Sequence, residues 1–333
     1  MRIFFYLPTR TITRCFKPEH IERLGREHQL VFCGEIATPE SWTAHAPQAN
    51  AIITGWGTPA ITEEQLATAT ELRVLVHSAG SARYLIPPSF WKRPLRLATC
   101  NEALGVGVAE TTLGMIIAGL KGFFPASANT RAGNWSNSPS FNIGGFVIRE
   151  LYETPIGIIG ASKIGRHLIR LLKNFQVQVL LYDPYLTEQE ADDLGVQKVE
   201  LDDLMSQSEV VTLHAPAMES TRHMLGREQF AAMKDGAIFI NTARGIIVDE
   251  AALVAELKTG RIFAFIDVTD PEPPAADHPF RQLSNCVLTP HIAGGVTNGC
   301  LRQGRSVVDQ IQEFTRGQTM HGEVTAERFK IMA

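Results

Sequence analysis

Cysteine is scarce and unpatterned in this chain. Cys15, Cys33, Cys100, Cys286 and Cys300 make five in 333 residues, an odd number with no C-x-x-C pair. That spacing argues against a disulfide framework and against a cysteine metal site, so no metal is expected and a reducing cytoplasm is the default compartment. Excess basic charge is also missing. Lys and Arg number 31 against 35 Asp and Glu, a net charge of −4 with a pI near 6.2. No face for nucleic acid or anionic lipid is implied. No run approaches the roughly 18 apolar residues of a membrane helix, so no membrane partner is expected. The apolar start, Met1-Arg2-Ile3-Phe4-Phe5-Tyr6-Leu7-Pro8, is too short for a signal peptide and reads as a first strand. No internal repeat is obvious.

What is present is ample core. The chain is 44% hydrophobic and 20% charged, and its length allows two domains. Strand-like and helix-like segments alternate, which predicts an α/β protein with parallel sheets covered by helices. In the first third, apolar runs at 3–7, 30–33, 51–54, 72–77 and 95–98 alternate with polar stretches of helical spacing at 19–28 and 62–69. Residues 106–124 then form a long apolar stretch whose only charges are Glu110 and Lys121. A helix apolar nearly all round is expected to be buried between domains or subunits. Residues 125–148, with Gly133, Trp135, Pro139 and Gly144, have weak periodicity and read as an extended arm used in contacts.

A second α/β unit begins at Thr154. Its strands are expected at 155–159, 179–182, 210–214, 237–241, 263–268 and 287–288, with helices at 164–175, 188–194, 227–233 and 250–258. Asp249 is placed to cap the last of these and Gly260 to end it. A final helix at about 296–316 lies beyond the last strand and is placed to return the chain to the first unit.

The first strand of the second unit runs into Gly157-Ile158-Ile159-Gly160-Ala161-Ser162-Lys163-Ile164-Gly165, a strand-to-helix junction. Gly160 suits a tight turn and Gly165 close helix–strand packing, with unpaired N–H groups at the helix start facing a pyrophosphate. The next strand ends at Asp183, 18 residues after Gly165, where a carboxylate accepts hydrogen bonds from a ribose and repels a 2′-phosphate. This predicts NAD(H) in preference to NADP(H). Ser162 stands where the fingerprint has its middle glycine. Either the backbone approach to the pyrophosphate is slightly longer there, or the hydroxyl itself donates to a phosphate oxygen.

Three later segments each follow an apolar run and present one ionisable side chain. They are Asn241-Thr242-Ala243-Arg244-Gly245, Asp270-Pro271-Glu272-Pro273 and Pro290-His291-Ile292-Ala293-Gly294. Singly each has an ordinary explanation: a salt-bridged Arg, an exposed Glu, a loop His. Together, downstream of a nucleotide fingerprint, they suit an acid–base site. Arg244 would hold an anion, His291 would move a proton, and Glu272 would orient the histidine.

With Asn101, Val108-Ala109-Glu110, Tyr182-Asp183-Pro184, His214-Ala215-Pro216 and Asp267-Val268, this ordered set resembles the D-isomer-specific 2-hydroxyacid dehydrogenases, glyoxylate and hydroxypyruvate reductases among them. The resemblance runs from about Leu72 to about Gly299. It implies two Rossmann-like doubly wound domains, the small one split. Residues 1–102 with 299–333 would bind substrate, and 103–298 would bind NAD, with a dimerisation helix and arm within 106–150. It implies a homodimer and a 2-keto acid or D-2-hydroxy acid as the partner molecule. Arg244 would grip the substrate carboxylate and keto oxygen. His291 would protonate the carbonyl oxygen, and Glu272 would favour the charged imidazole. Asp267 would hold the nicotinamide carboxamide, Thr242 and Ala243 would line its ribose, and Pro216 the adenine. Lys163 and Ile164, beside Ser162, would sit on the pyrophosphate, and Gly294 would join the cofactor set. Ala79, Gly80 and Ser81 would offer N–H groups to the substrate carboxylate.

Two departures concern the substrate. The acidic residue usual after the small-domain loop is absent and Arg83 stands near its place, and Thr269 replaces a common aromatic residue. If Arg83 lined the pocket, a second anionic group on the substrate would be favoured. Trp56, Tyr84 and Trp91 are expected to pack. Glu272 argues against formate-oxidising relatives, which carry Gln there, and Ala79 against phosphite-oxidising ones, which carry Lys. His214 reads as a structural cap before Pro216. The alternative function is an NAD(H)-sensing corepressor-like protein without turnover.

Overall fold

The computed structural model describes residues 1–135, 142–143 and 146–332. In chain order its strands are β1 (Arg2–Phe5), β2 (Gln29–Phe32), β3 (Ala51–Thr54), β4 (Val74–His77), β5 (Arg96–Thr99), β6 (Asn142–Ile143), β7 (Phe146–Val147), β8 (Pro155–Ile159), β9 (Gln178–Tyr182), β10 (Gln197–Lys198), β11 (Val210–Leu213), β12 (Ile238–Asn241), β13 (Phe263–Ile266), β14 (Cys286–Leu288) and β15 (Glu323–Val324). The helices are α1 (Thr9–Cys15), α2 (Pro18–Gly25), α3 (Pro39–His45), α4 (Glu63–Thr68), α5 (Asn101–Leu120), α6 (Phe123–Arg131), α7 (Lys163–Leu172), α8 (Glu188–Leu194), α9 (Leu201–Gln207), α10 (Arg227–Ala232), α11 (Glu250–Lys258), α12 (Thr297–Thr315) and α13 (Ala326–Lys330).

Two compact units result. One is Met1–Gly107 with Gly295–Ala333, the other Val108–Gly294. The first unit holds a sheet of order β15-β5-β4-β3-β1-β2. It departs from an all-parallel expectation at one edge, where β15 runs antiparallel to β5. The chain returns along α12 and residues 316–322 before β15 pairs with β5 through Glu323 opposite Ala98 and Val324 opposite Leu97. Leu24 of α2 and Val307, Val308 and Ile311 of α12 cover one face, and Trp42 of α3 and Leu66 of α4 cover the other.

The second unit holds a sheet of order β10-β9-β8-β11-β12-β13-β14, parallel in every pairing. Leu204, Phe230, Leu253 and Leu257 pack on one face. Ile116, Leu120, Leu168, Ile169 and Leu172 pack on the other. Each fully buried side chain of this kind contributes about 1.5–3 kcal/mol before the cost of ordering it. Asp249 accepts a hydrogen bond from the Ala252 N–H (3.1 Å) at the start of α11, and Gly260 lies past its end with φ +75°.

Two expectations need correction. The described start of the extended arm is helical: α6 covers Phe123–Arg131. Pro125 stands in its first turn, where a missing N–H costs nothing. The rest of the expected arm lies partly outside the described residues. The long apolar helix is α5, and by length and composition it is able to cross a bilayer. An unbroken apolar run was not visible because Gly, Thr and Glu interrupt it. Val108, Ala109, Thr112, Ile116 and Leu120 form its buried stripe. Its other face is only half-covered within one chain.

Candidate active site

Strand register gathers most candidate residues of the second unit at one sheet edge. Ile159 pairs with Tyr182 and with Leu213, Leu213 with Asn241, Asn241 with Ile266, and Ile266 with Leu288. Every loop leaving a carboxyl end in this set therefore starts at the same level. These are the loops that carry Gly160, Asp183, Pro216, Thr242, Asp267 and His291, and such an edge is where open α/β sheets bind ligands.

The fingerprint has the geometry its glycines suggest. Gly160 has φ +99°, and a Cβ there would lie 2.7 Å from the Ala215 nitrogen. A Cβ on Gly165 would lie 2.2 Å from the Gly160 carbonyl oxygen. Both positions therefore exclude any side chain. Ser162 differs: with φ −62° it needs no glycine, and its Oγ accepts a bond from the Gly165 N–H at 3.4 Å, capping α7. Lys163 and Ile164 form the first turn of that helix. Asp183 turns back onto the loop, its Oδ2 accepting from Ala161 N–H (2.7 Å) and its Oδ1 from Tyr185 N–H (2.9 Å). Arg166, not singled out in the sequence, donates from Nε to the Ala161 carbonyl at 2.9 Å. A cradle closed to side chains, ahead of a capped ten-residue helix, fits a dinucleotide pyrophosphate.

His214 does not cap the turn before Pro216. Its ring is buried, Nε2 meets Thr212 Oγ1 at 3.0 Å, and burial pulls its pKa down to about 3. The turn is held instead by Thr221, whose hydroxyl donates to the Pro216 carbonyl at 2.7 Å.

At the other end of the edge, His291 Nδ1 and Glu272 Oε1 are 2.7 Å apart, both side chains partly open to solvent. The pairing occupies Nδ1 and leaves Nε2 for a proton exchange. His291 has φ +52°, a left-handed conformation that costs a non-glycine residue on the order of 1–3 kcal/mol. Asp267 supports it. The Asp267 carbonyl accepts from the His291 N–H (2.9 Å), and its carboxylate accepts from Thr289 Oγ1 (2.6 Å), Ile292 N–H (2.8 Å) and Ala293 N–H (2.9 Å). Asp267 was expected to face the nicotinamide. Buried as it is, it also builds the histidine loop.

Arg244 follows β12 in extended conformation, with Nη1 donating to the Ala243 carbonyl at 2.6 Å. Asn241 shapes this turn, accepting from Ala243 N–H (3.0 Å) and donating to the Arg244 carbonyl (3.1 Å). Surrounding protein lowers the Arg244 pKa, opposed by the nearby Glu272 carboxylate. The residue as a whole is nonetheless exposed, and arginine keeps its charge throughout the working pH range.

Helix α5 braces both loops. Thr111 Oγ1 donates to the Ala293 carbonyl (3.1 Å), next to Gly294, and Thr112 Oγ1 meets Thr242 Oγ1 (3.2 Å). The signal for these was visible only as a polar pair in an apolar helix. Gly245 brings the arginine loop against the glutamate loop: a Cβ there would lie 2.1 Å from the Thr269 carbonyl carbon and 2.5 Å from the Asp270 nitrogen. Because those atoms are backbone, Gly245→Ala is expected to cost at least about 1–3 kcal/mol and to lower activity. Denaturant unfolding checks this, and a wild-type midpoint would contradict it.

In the first unit, Thr54 pairs with His77 and His77 with Thr99, which puts Ser78 to Ser81 at that sheet's carboxyl edge. Ala79 is buried, its carbonyl accepting from Cys100 N–H at 3.0 Å. Gly80 lies against Asn101, whose Oδ1 is 2.8 Å from where a Cβ would stand. His77 Nδ1 meets Thr54 Oγ1 at 3.0 Å, and burial lowers its pKa to about 4. Ser81 Oγ accepts from Arg83 N–H at 3.3 Å. The Arg83 guanidinium reaches the Met332 carbonyl, also at 3.3 Å. Trp56 stacks under Arg14 (5.0 Å) and Trp91 packs on Phe90 and Phe329. Tyr84 is half-exposed with its ring edge on His77.

Comparison with known proteins agrees with this geometry. Residues 113–293, more than half of the chain, match the family described as D-isomer specific 2-hydroxyacid dehydrogenase, NAD binding domain. The chain is 31% identical over 283 residues to the D-3-phosphoglycerate dehydrogenase of Methanocaldococcus jannaschii, a match covering 84% of this chain and 52% of that protein. It thus spans about half the length of that relative. It is 31% identical over 277 residues to the glyoxylate reductase of Korarchaeum cryptofilum, covering 82% of each. Its fold is similar to that of a phosphoglycerate oxidoreductase from Rhizobium etli, with TM-score 0.82, 24% identity, and coverage of 97% of this chain and 98% of that one. The chain belongs to the D-isomer specific 2-hydroxyacid dehydrogenase family, and residues 113–293 are its NAD-binding domain.

Proposed function

We propose that this protein is an NAD(H)-dependent oxidoreductase that interconverts a 2-keto acid and the corresponding D-2-hydroxy acid. The observation that carries the reading is the 2.7 Å His291–Glu272 pair at the same sheet edge as a glycine cradle for a dinucleotide. The Gly160–Gly165 loop and the start of α7 would hold the pyrophosphate, Asp183 the adenosine ribose, and Thr242, Ala243 and Asp267 the nicotinamide end. The cofactor, when bound, supplies or accepts the hydride. Arg244 holds the substrate carboxylate and polarises its keto oxygen. His291 gives a proton to that oxygen from Nε2 in reduction and takes it back in oxidation, while Glu272 balances the charge on the imidazole.

Initial rates with glyoxylate, hydroxypyruvate, pyruvate and larger 2-keto acids, each with NADH and NADPH, test the reading. Turnover of at least one with NADH is expected, and none with either cofactor would reject it. The corepressor alternative gains no support, since the matched relatives carry the names of a dehydrogenase and a reductase.

Preference for NAD(H) rests on the Asp183 charge. One charge–charge contact near a surface is worth on the order of 1–4 kcal/mol. Asp183→Asn, which keeps a carbonyl for Ala161, is expected to raise the NADPH-to-NADH ratio of kcat/KM by about tenfold or more. An unchanged ratio would show that something else sets the selectivity.

The half-covered apolar face of α5 and the exposed Phe123, Phe124 and Tyr152 support a homodimer formed through this region. Five free cysteines and a net charge of −4 support a cytoplasmic protein with no nucleic-acid or membrane partner. Arg83 engages the C-terminal segment, which favours substrates carrying a single anionic group.

A further inference from the structure

A second histidine–carboxylate pair lies behind the first. Glu250, at the start of α11, is half-buried, and its two oxygens do different work. Oε1 accepts from the Asp270 N–H at 2.9 Å, and Oε2 lies 3.2 Å from His278 Nε2. His278 Nδ1 accepts from the Phe280 N–H at 3.3 Å, so Nε2 carries the proton that faces Glu250. Asp270 and His278 bracket the segment that holds Glu272. The same segment is gripped at its start on two further sides. Gly245 lies against the Thr269–Asp270 peptide with no room for a side chain, and Thr269 Oγ1 donates to the Pro271 carbonyl at 2.9 Å.

We propose that Glu250 is a positioning residue for the Glu272–His291 pair, acting through the Asp270 N–H, with His278 fixing its second oxygen. The inference rests on the acid–base reading of that pair. The Glu272 side chain is partly open to solvent, so its own packing does little to hold it at hydrogen-bonding distance. Its backbone must do so, and the nearest fixed point is Asp270, two residues earlier. Burial raises the Glu250 pKa, followed in the opposite direction by the Asp270 N–H bond and the facing His278 ring, with the Asp270 carboxylate adding to the rise. A carboxyl kept at that position despite burial is accounted for by the two contacts it makes.

The test compares wild type, Glu250→Ala, Glu250→Gln and His278→Ala by crystal structure and by steady-state kinetics across pH. Glu250→Ala is expected to separate Glu272 from His291 beyond hydrogen-bonding reach. It should also lower kcat by about tenfold or more, as misplacement by an ångström can, displace the pH–rate profile, and leave KM for NADH near the wild-type value. Glu250→Gln keeps an oxygen for Asp270 and should retain most of kcat. His278→Ala should move kcat and the pH profile in the direction of Glu250→Ala, by less. A folded Glu250→Ala protein with the wild-type pair separation and pH profile would overturn the inference. If that variant does not fold, an unchanged pH profile in His278→Ala would do so. Absence of 2-keto acid turnover in the wild type would reject the activity instead, and the pair separation in the crystals would still decide this point.

Discussion

Alanine at His291 is expected to lower kcat for 2-keto acid reduction by about 10²–10⁴-fold, the range for loss of a positioned proton donor. The argument is geometric. Glu272 takes Nδ1 at 2.7 Å, so the ring is oriented and Nε2 remains for the substrate oxygen. The ring is solvent-accessible and sits on a left-handed residue that Asp267 holds through three backbone N–H groups and the Thr289 hydroxyl. KM for NADH should change little, because the fingerprint loop is built by other strands. Stopped-flow or steady-state rates on the best keto acid measure this, and an alanine variant with wild-type kcat would remove His291 from the chemistry.

Arg244 carries the second large effect. Truncation to alanine should lower kcat/KM by about 10²–10³-fold, roughly 3–4 kcal/mol at 1.36 kcal/mol per decade, in the range for losing one partner of a desolvated charge pair. Lysine should recover only part of this, because a point charge cannot reproduce the forked contact to a carboxylate. Asn241 and Gly245 set the backbone on either side of the guanidinium, so the loop should keep its shape in both variants. The check is kcat and KM for the keto acid in each. A loss confined to NADH affinity would place Arg244 at the cofactor and not at the substrate.

Much of this architecture was legible in the residues, for a simple reason. Parallel strands buried on both faces read as short apolar runs, and the residue that leaves each run is the one the edge presents. Ala51–Thr54, Pro155–Ile159, Glu188–Leu194 and Glu250–Lys258 are read at the bounds the structure shows. The less legible parts depend on contacts between distant segments. Helix α6 has little periodicity because no residue of it is fully buried. Helix α9 is one short acidic stretch whose Leu204 and Met205 gain meaning only against the sheet. The direction of β15 is set by how the chain returns to β5. Thr111, Thr112, Glu250 and His278 carry no spacing that marks them. Their importance comes from the carbonyl or N–H each meets in another loop. Asp267 shows the same limit: the strand end identified it, but its four bonds to the histidine loop are visible only in three dimensions.

The most direct test of the account is the product itself. Purified protein incubated with NADH and a 2-keto acid should form the 2-hydroxy acid in step with NADH consumption, and chiral separation should show the D enantiomer. An L product would contradict the proposed geometry, and NADH binding without any hydroxy acid would contradict the proposed activity.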